Sequence, residues 1–326
     1  MYAPEGDDAF QSWQDDLRES IRAGVEEACC GGEVDCVKAM VRHINDAKPP
    51  ALSHWSVAAE SALLHGGISQ VKFTIAGVEQ PRRELADLCV IAASAEKGQL
   101  TGFRVCFIQT KANHRDDRHH ASYDIDGLQL WLLSRFPKFE GIGRFVKGPS
   151  YHLNNTTGML GAYGFLSHPG EMSLLSARVL ANVLAECAGR DKSREIDARE
   201  LAPTLAALGS GWSRDCFCPH RASTGGDTTA LATLSYDDFV REWTGLRLGE
   251  PWYSTRANHR DVAVRTLVDR IVAAAVDENQ LPHVAQLFHP DVPREEPEAS
   301  GEDRDTGHDA EAPALGILAV ILDWRG

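Results

Sequence analysis

Four side chains in the second quarter of this 326-residue chain have types and spacings that could do chemistry together: Glu60, Asp87, Gln109 and Lys111. Carboxylates and an amide oxygen are hard donors, of the kind that hold Mg2+ or Mn2+ while leaving positions open to water. A primary amine two residues beyond the amide can orient a water, assist proton transfer or offset negative charge. If residues 103–111 form a strand, Gln109 and Lys111 share one face, with Thr110 between them on the other. Asp87 lies among Leu85, Leu88, Val90 and Ile91, where a carboxylate is costly unless a cation or a donor meets it. Each residue alone has a plain structural explanation. A lone Glu60 beside Val57, Ala58, Ala59 and Ala62 ordinarily faces solvent, and a single strand Asp is as often structural as functional. Their order along the chain carries the argument.

That order depends on the elements around them. Residues 53–65 read as a helix, with Ser53 as N-cap and Gly66-Gly67 as the stop. Strands are predicted over 71–75, 85–91 and 103–111, with turns at 76–81 and 94–99. Residues 124–135 read as a second helix, halted by Phe136-Pro137. The sequence thus reads helix, three strands, helix. Glu60 falls on the first helix, Asp87 early in the second strand, and Gln109 and Lys111 at the end of the third.

With Glu60, Asp87 and Gln109-Thr110-Lys111 so placed, this stretch resembles the core of the PD-(D/E)xK, or restriction-endonuclease-like, nucleases in their Gln-x-Lys variant. The resemblance implies an α/β fold with a restriction-endonuclease-like core, a mixed central sheet flanked by helices, carrying additional helices here. It implies a Mg2+-dependent (or Mn2+-dependent) endodeoxyribonuclease, similar to nuclease modules of prokaryotic anti-phage effectors. By that resemblance Asp87 anchors the metal, Gln109 contributes its amide oxygen and Thr110 its backbone carbonyl. Glu60 binds a second metal or a metal-bound water, and Lys111 positions or helps deprotonate the attacking water. Two departures stand out. Gln109 replaces the usual acidic residue and removes one negative charge from the site, and Ala86 replaces the proline that often precedes the strand-two Asp. The alternative is a non-catalytic interaction subunit whose nuclease-like fold has lost its chemistry.

Composition sets outer bounds. A 43% hydrophobic chain can bury a core, and the net charge of −14 argues against broad, non-specific affinity for nucleic acid. Residues 70–150 nevertheless hold 12 Lys/Arg against 9 Asp/Glu, a basic block in an acidic chain. Within it Lys72, His114, Arg115 and Arg118 are the candidate contacts to DNA. The polar run 113–120 reads equally as a phosphate track or a solvated loop. An acidic N-terminus and the lack of a long apolar run point to a cytoplasmic protein with no membrane partner. Eight cysteines then read as thiols. Cys216, Cys218 and His220 form the one cluster that could hold a soft metal, without the second pair a structural zinc site uses.

The remaining chain divides by composition. Residues 1–50 read as two helices, over 8–28 and 34–45, the first carrying an apolar stripe of Phe10, Trp13, Leu17, Ile21 and Val25. The nuclease-like core spans 51–160, with a fourth strand expected at 150–155 and a Gly-rich turn at 158–164. A mainly helical extension covers 161–289, with helices at 172–187, 236–244 and 261–276. An acidic, Pro- and Ser-containing linker covers 290–313. The last segment, 314–326, is strongly apolar. It either docks on its own core or, like the N-terminal helices, offers a surface to a partner protein or a second copy.

Overall fold

The computed structural model describes residues 3–28, 32–44, 47–65, 69–75, 80–112, 122–143, 146–148, 150–167, 171–185, 193–197, 229–255, 258–276, 280–290 and 314–326. His114, Arg115, Arg118 and the Cys216/Cys218/His220 cluster lie outside them, as do residues 291–313 of the acidic linker.

Two N-terminal helices form as their apolar spacing predicts, α1 (Asp8–Ala28) and α2 (Glu33–Ile44). Strands β1 (Trp55–His65), β2 (Gln70–Phe73), β3 (Arg82–Glu84), β4 (Leu88–Glu96), β5 (Gln99–Ala112) and β6 (Ser122–Asp126) follow. After α3 (Gly127–Arg135) come β7 (Phe139–Gly141), β8 (Ser150–Tyr151), β9 (Gly161–Ser167), β10 (Glu171–Ser176) and α4 (Ala177–Val183). The described chain continues with β11 (Ser193–Asp197), β12 (Ala232–Thr233), α5 (Tyr236–Thr244) and β13 (Glu250–Tyr253). It closes with α6 (His259–Val276), α7 (Pro282–Phe288) and β14 (Ala314–Trp324).

The fold is α/β, with a mixed central sheet in the order β1-β14-β4-β5-β9-β10-β12, and β13 sharing the β5 edge with β9. The C-terminal segment is an interior strand of this sheet, antiparallel to β1 and parallel to β4. Residues Leu315 to Asp323 are all buried. Leu315, Ile317, Ala319 and Ile321 face one hydrophobic core, and Leu318, Val320 and Leu322 face the other. A strand covered on both faces reads as a continuous apolar run, which explains the composition of this tail. The first core contains α3, α6 and α7, and the second contains α1, α2 and α5. A smaller sheet, β3-β2-β7-β8, stands beside the main one. Among the described residues no helix is long and apolar enough to cross a membrane.

Five local predictions are corrected. Residues 55–65 form strand β1, not a helix, paired with β14 from Trp55↔Trp324 to His65↔Ala314. Alanine-rich sequence favours a helix locally, but the ladder and the two cores outweigh that preference. Residues 122–126 are strand β6, so α3 begins only at Gly127. Residues 171–176 are strand β10, paired with β9, and the helix starts at Ala177. The glycines of 158–164 run into β9, which lies parallel to β5, whereas the strand expected at 150–155 shrinks to β8 in the small sheet. Gly161 is needed there because a Cβ would sit 2.3 Å from the Leu133 carbonyl oxygen of α3.

Candidate functional site

The site forms where the β4–β5 ladder ends. Asp87 immediately precedes β4, and its N–H donates to the Ile108 carbonyl of β5 at 3.0 Å, the last rung of the pairing. Thr110, the next residue on that edge of β5, lies beyond the end of β4. Its N–H and its Oγ1 hydroxyl both donate to Asp87 Oδ2, at 2.7 and 2.8 Å. Gln109 Nε2 donates to the same oxygen. Sequence distance is bridged here by hairpin register: Leu88 pairs with Ile108, so the Asp87 and Gln109-Thr110-Lys111 segments must meet.

Gln109 is held from the other side by α3. The Asp126 carboxylate caps this helix, accepting from Gln129 N at 2.7 Å, and pairs in bidentate fashion with Arg83 of β3. The Gln129 side chain in the first turn donates to Gln109 Oε1 at 2.9 Å and to the Glu84 carbonyl at 2.8 Å. A continuous chain of hydrogen bonds therefore runs from Arg83 through Asp126 and Gln129 to Gln109 and Asp87. It fixes the amide so that its NH2 faces Asp87 and its oxygen faces Gln129. The expected direct role of the Gln109 oxygen as a ligand is not the arrangement found. Gln109 holds Asp87 in place.

Lys111, the last residue but one of β5, has its Nζ 3.2 and 3.3 Å from the two carboxylate oxygens of Glu33. Glu33 opens α2 and also accepts from Ala112 N at 3.3 Å, so it ties that helix to the end of β5. The second core brings α2 here. A Cβ on Gly316 of β14 would lie 2.7 Å from both Val37 and Leu88 side chains, so only glycine admits this close approach.

Glu60 stands elsewhere. It lies in β1 opposite Ala319, which lies opposite Ile91. Strand geometry then puts it two strands across, about 10 Å, and about 13 Å along the sheet from Asp87. Its carboxylate accepts the N–H groups of His283 and Val284 at 3.0 Å and contacts His283 Nδ1 at 2.6 Å, which caps α7. The helix-borne glutamate beside the lysine is Glu33, from a helix nearer the N-terminus. Lys72, on β2, pairs with Glu140 of β7 at 3.0 Å.

Sequence reasoning also missed Glu84 and Gln129. Burial, and then the charge of Asp87, push the Glu84 carboxyl up to about 7. Burial likewise pushes Asp87 up to about 6, against the opposing pull of the Thr110 donors, with Glu33 raising it further and Lys111 lowering it. Asp87 Oδ1 and the Glu84 carboxylate accept no hydrogen bond among the described residues. The signals available were the Glu84-x-x-Asp87 spacing and the Asp126-x-x-Gln129 cap.

No group of three or more His, Cys, Asp or Glu residues among the described residues is placed to hold a metal. The donors that remain are two carboxylates, Asp87 and Glu84, whose ionised forms lack enough compensation, beside the Thr110 backbone. Hard oxygens of that kind fit a small divalent cation that keeps most of its waters. Comparisons with protein-family models, with curated proteins and with solved structures found no match to this chain.

Proposed function

We propose that the chain is a metal-dependent endonuclease that hydrolyses phosphodiester bonds in DNA. Its biological setting as an effector subunit in anti-phage defence rests on the sequence resemblance alone. The observation that supports the reading best is the meeting of Asp87, Glu84, Thr110 and Lys111 at one end of the β4–β5 pair, with a third acidic residue, Glu33, arriving on a helix. Asp87 and Glu84 are the residues that would hold Mg2+ or Mn2+. When bound, the cation supplies charge neutralisation at phosphorus and a more acidic water. Lys111, restrained by Glu33, orients the attacking water and offsets charge on the phosphate. Gln109 and Gln129 keep the Asp87 carboxylate from turning away.

A second reading, a non-catalytic interaction subunit, is favoured by one feature. Asp87 Oδ2 is already occupied by three donors, and Lys111 is already neutralised by Glu33.

Cleavage of plasmid and linear DNA with Mg2+, Mn2+ or EDTA, using wild type, Asp87→Ala and Lys111→Ala of verified fold, decides between them. The nuclease reading expects metal-dependent cutting that both substitutions reduce at least about a hundredfold, the scale of an acid–base contribution. Cutting that survives both, or none with or without a neighbouring-gene partner, sinks it.

A further inference from the structure

Several described basic side chains of this acidic protein are neutralised by a carboxylate. Lys72 pairs with Glu140, Arg83 with Asp126, Lys111 with Glu33, Arg247 with Glu242 and Arg265 with Asp269. One group is not. Lys138 immediately precedes β7 and His152 immediately follows β8, and the Phe139↔Tyr151 register brings these two face to face. The His152 ring lies 6.4 Å from that of His259, the first residue of α6, and Arg260 is next to it. These four side chains are exposed. Partial desolvation and then the positive charges of Arg260, His259 and Lys138 hold His152 below its ordinary range, and no carboxylate contributes to that field. Of the acids near it, Asp261 is buried with its oxygens taken by the side-chain amides of Asn154 and Asn258, and Glu140 is paired with Lys72.

The same face continues along α6. Arg270 falls eleven residues after His259, close to three full turns, hence on the same stripe and about 16 Å further on. Its guanidinium donates to the Lys147 carbonyl at 2.7 Å, which places Lys147 beside it. Neither Lys147 nor Arg270 has a carboxylate partner among the described residues. That length matches about five steps of a nucleic-acid strand at 3.4 Å each. The small sheet connects this stripe to the chemistry, since β8 is three strands from β3, which ends at Glu84. Helix α6 also packs on the core that faces Gln109 and Gln129.

We infer that Lys138, His152, His259 and Arg260, extended by Lys147 and Arg270, form a track for the phosphate backbone of duplex nucleic acid. The inference rests on the proposed hydrolysis for its purpose, though not for its test. The lysines and arginines of such a set neutralise phosphates, its histidines add ring N–H donors, and none of them reads bases, so binding through it is salt-dependent and indifferent to sequence.

The test is fluorescence anisotropy with a labelled DNA duplex in EDTA, where no cleavage occurs, over a series of NaCl concentrations. The variants are Lys138→Glu/Arg260→Glu, the neutral pair Lys138→Gln/Arg260→Gln, and Arg42→Glu on α2 at the opposite face of the sheet. The double charge reversal is expected to weaken binding about tenfold or more and to lower the log–log salt slope by about 2, roughly one for each phosphate that is no longer neutralised. The neutral pair falls between, and Arg42→Glu stays within about twofold of wild type. Equal affinity in the wild type and the double reversal overturns the track, and if metal-dependent cutting persists the hydrolysis reading survives that result. Loss of binding to anionic lipid vesicles in the same variants, with no duplex binding by wild type, also overturns it and assigns the stripe to a membrane surface. Failure of duplex binding together with absence of cutting removes both readings.

Discussion

At the scale of the residue, burial holds two carboxyl groups above their ordinary range, Asp87 just before β4 and Glu84 at the end of β3. Glu84 is raised to about 7 and Asp87 to about 6, both first by burial. In the unfolded chain both release their protons near pH 4, as free side chains do at about that value. Their contribution to folding is therefore fully present below about pH 4 and is lost as pH rises through about 6 and then about 7. In chelator, Glu84→Gln should match wild type in melting temperature near pH 4 and exceed it at pH 8. Added Mg2+ should narrow the gap at pH 8, because a cation favours the ionised pair. Equal melting curves at pH 8 would remove the argument from burial. Glu60 gives the opposite case. It caps α7 and lies far from Asp87, so Glu60→Gln should leave metal-dependent cutting within about twofold, whereas Glu60→Ala should cost stability by about 1 kcal/mol, as removal of a cap does. A hundredfold loss of cutting in Glu60→Gln, with unchanged melting, would return Glu60 to the site.

At the scale of the element, α3 and β14 do the positioning. Asp126 both caps α3 and pairs with Arg83, and the first turn of α3 carries Gln129. Asp126→Ala should destabilise by about 1–2 kcal/mol in urea unfolding, the range for removal of an N-cap, and should lower cutting more than that change explains, because Gln109 is then left without support. A variant as active and stable as wild type would show that the hydrogen-bond chain is idle. Strand β14 separates β1 from β4 and supplies side chains to both cores. Ending the chain at residue 313 should yield no folded monomer by circular dichroism and gel filtration. Each large buried side chain removed this way costs about 1.5–3 kcal/mol, several times over what a domain can spare.

At the scale of the molecule, the two cores are not separable units. Strands β4, β5 and β14 each place alternate residues in both, as Ile91 and Val90, Phe107 and Ile108, and Ile317 and Leu318 do. Urea unfolding followed by tryptophan fluorescence should coincide with that followed by far-ultraviolet circular dichroism, since Trp13 and Trp243 lie in one core and Trp131 and Trp252 pack against the other. Two separated transitions would show that the cores fold independently. The burial of β14 also means that the apolar tail is covered by its own chain.

The amphipathic helices α1 and α2, the β4–β5 hairpin and the convergence of Asp87 with Gln109, Thr110 and Lys111 were all legible in the amino-acid sequence. They depend on side-chain periodicity and on hairpin register, which are local. The strand at residues 55–65 was not legible, because an alanine-rich segment commits to a ladder only when β14, some 250 residues later, lies beside it. Long-range packing also moved Glu60 away from Asp87 and brought Glu33 to Lys111, since the seat of α2 over Gly316 is a property of the second core and of no local pattern. The basic stripe is of the same kind: Lys138, His152 and His259 are far apart in the chain, and only the β7–β8 pairing and the seat of α6 make them one surface.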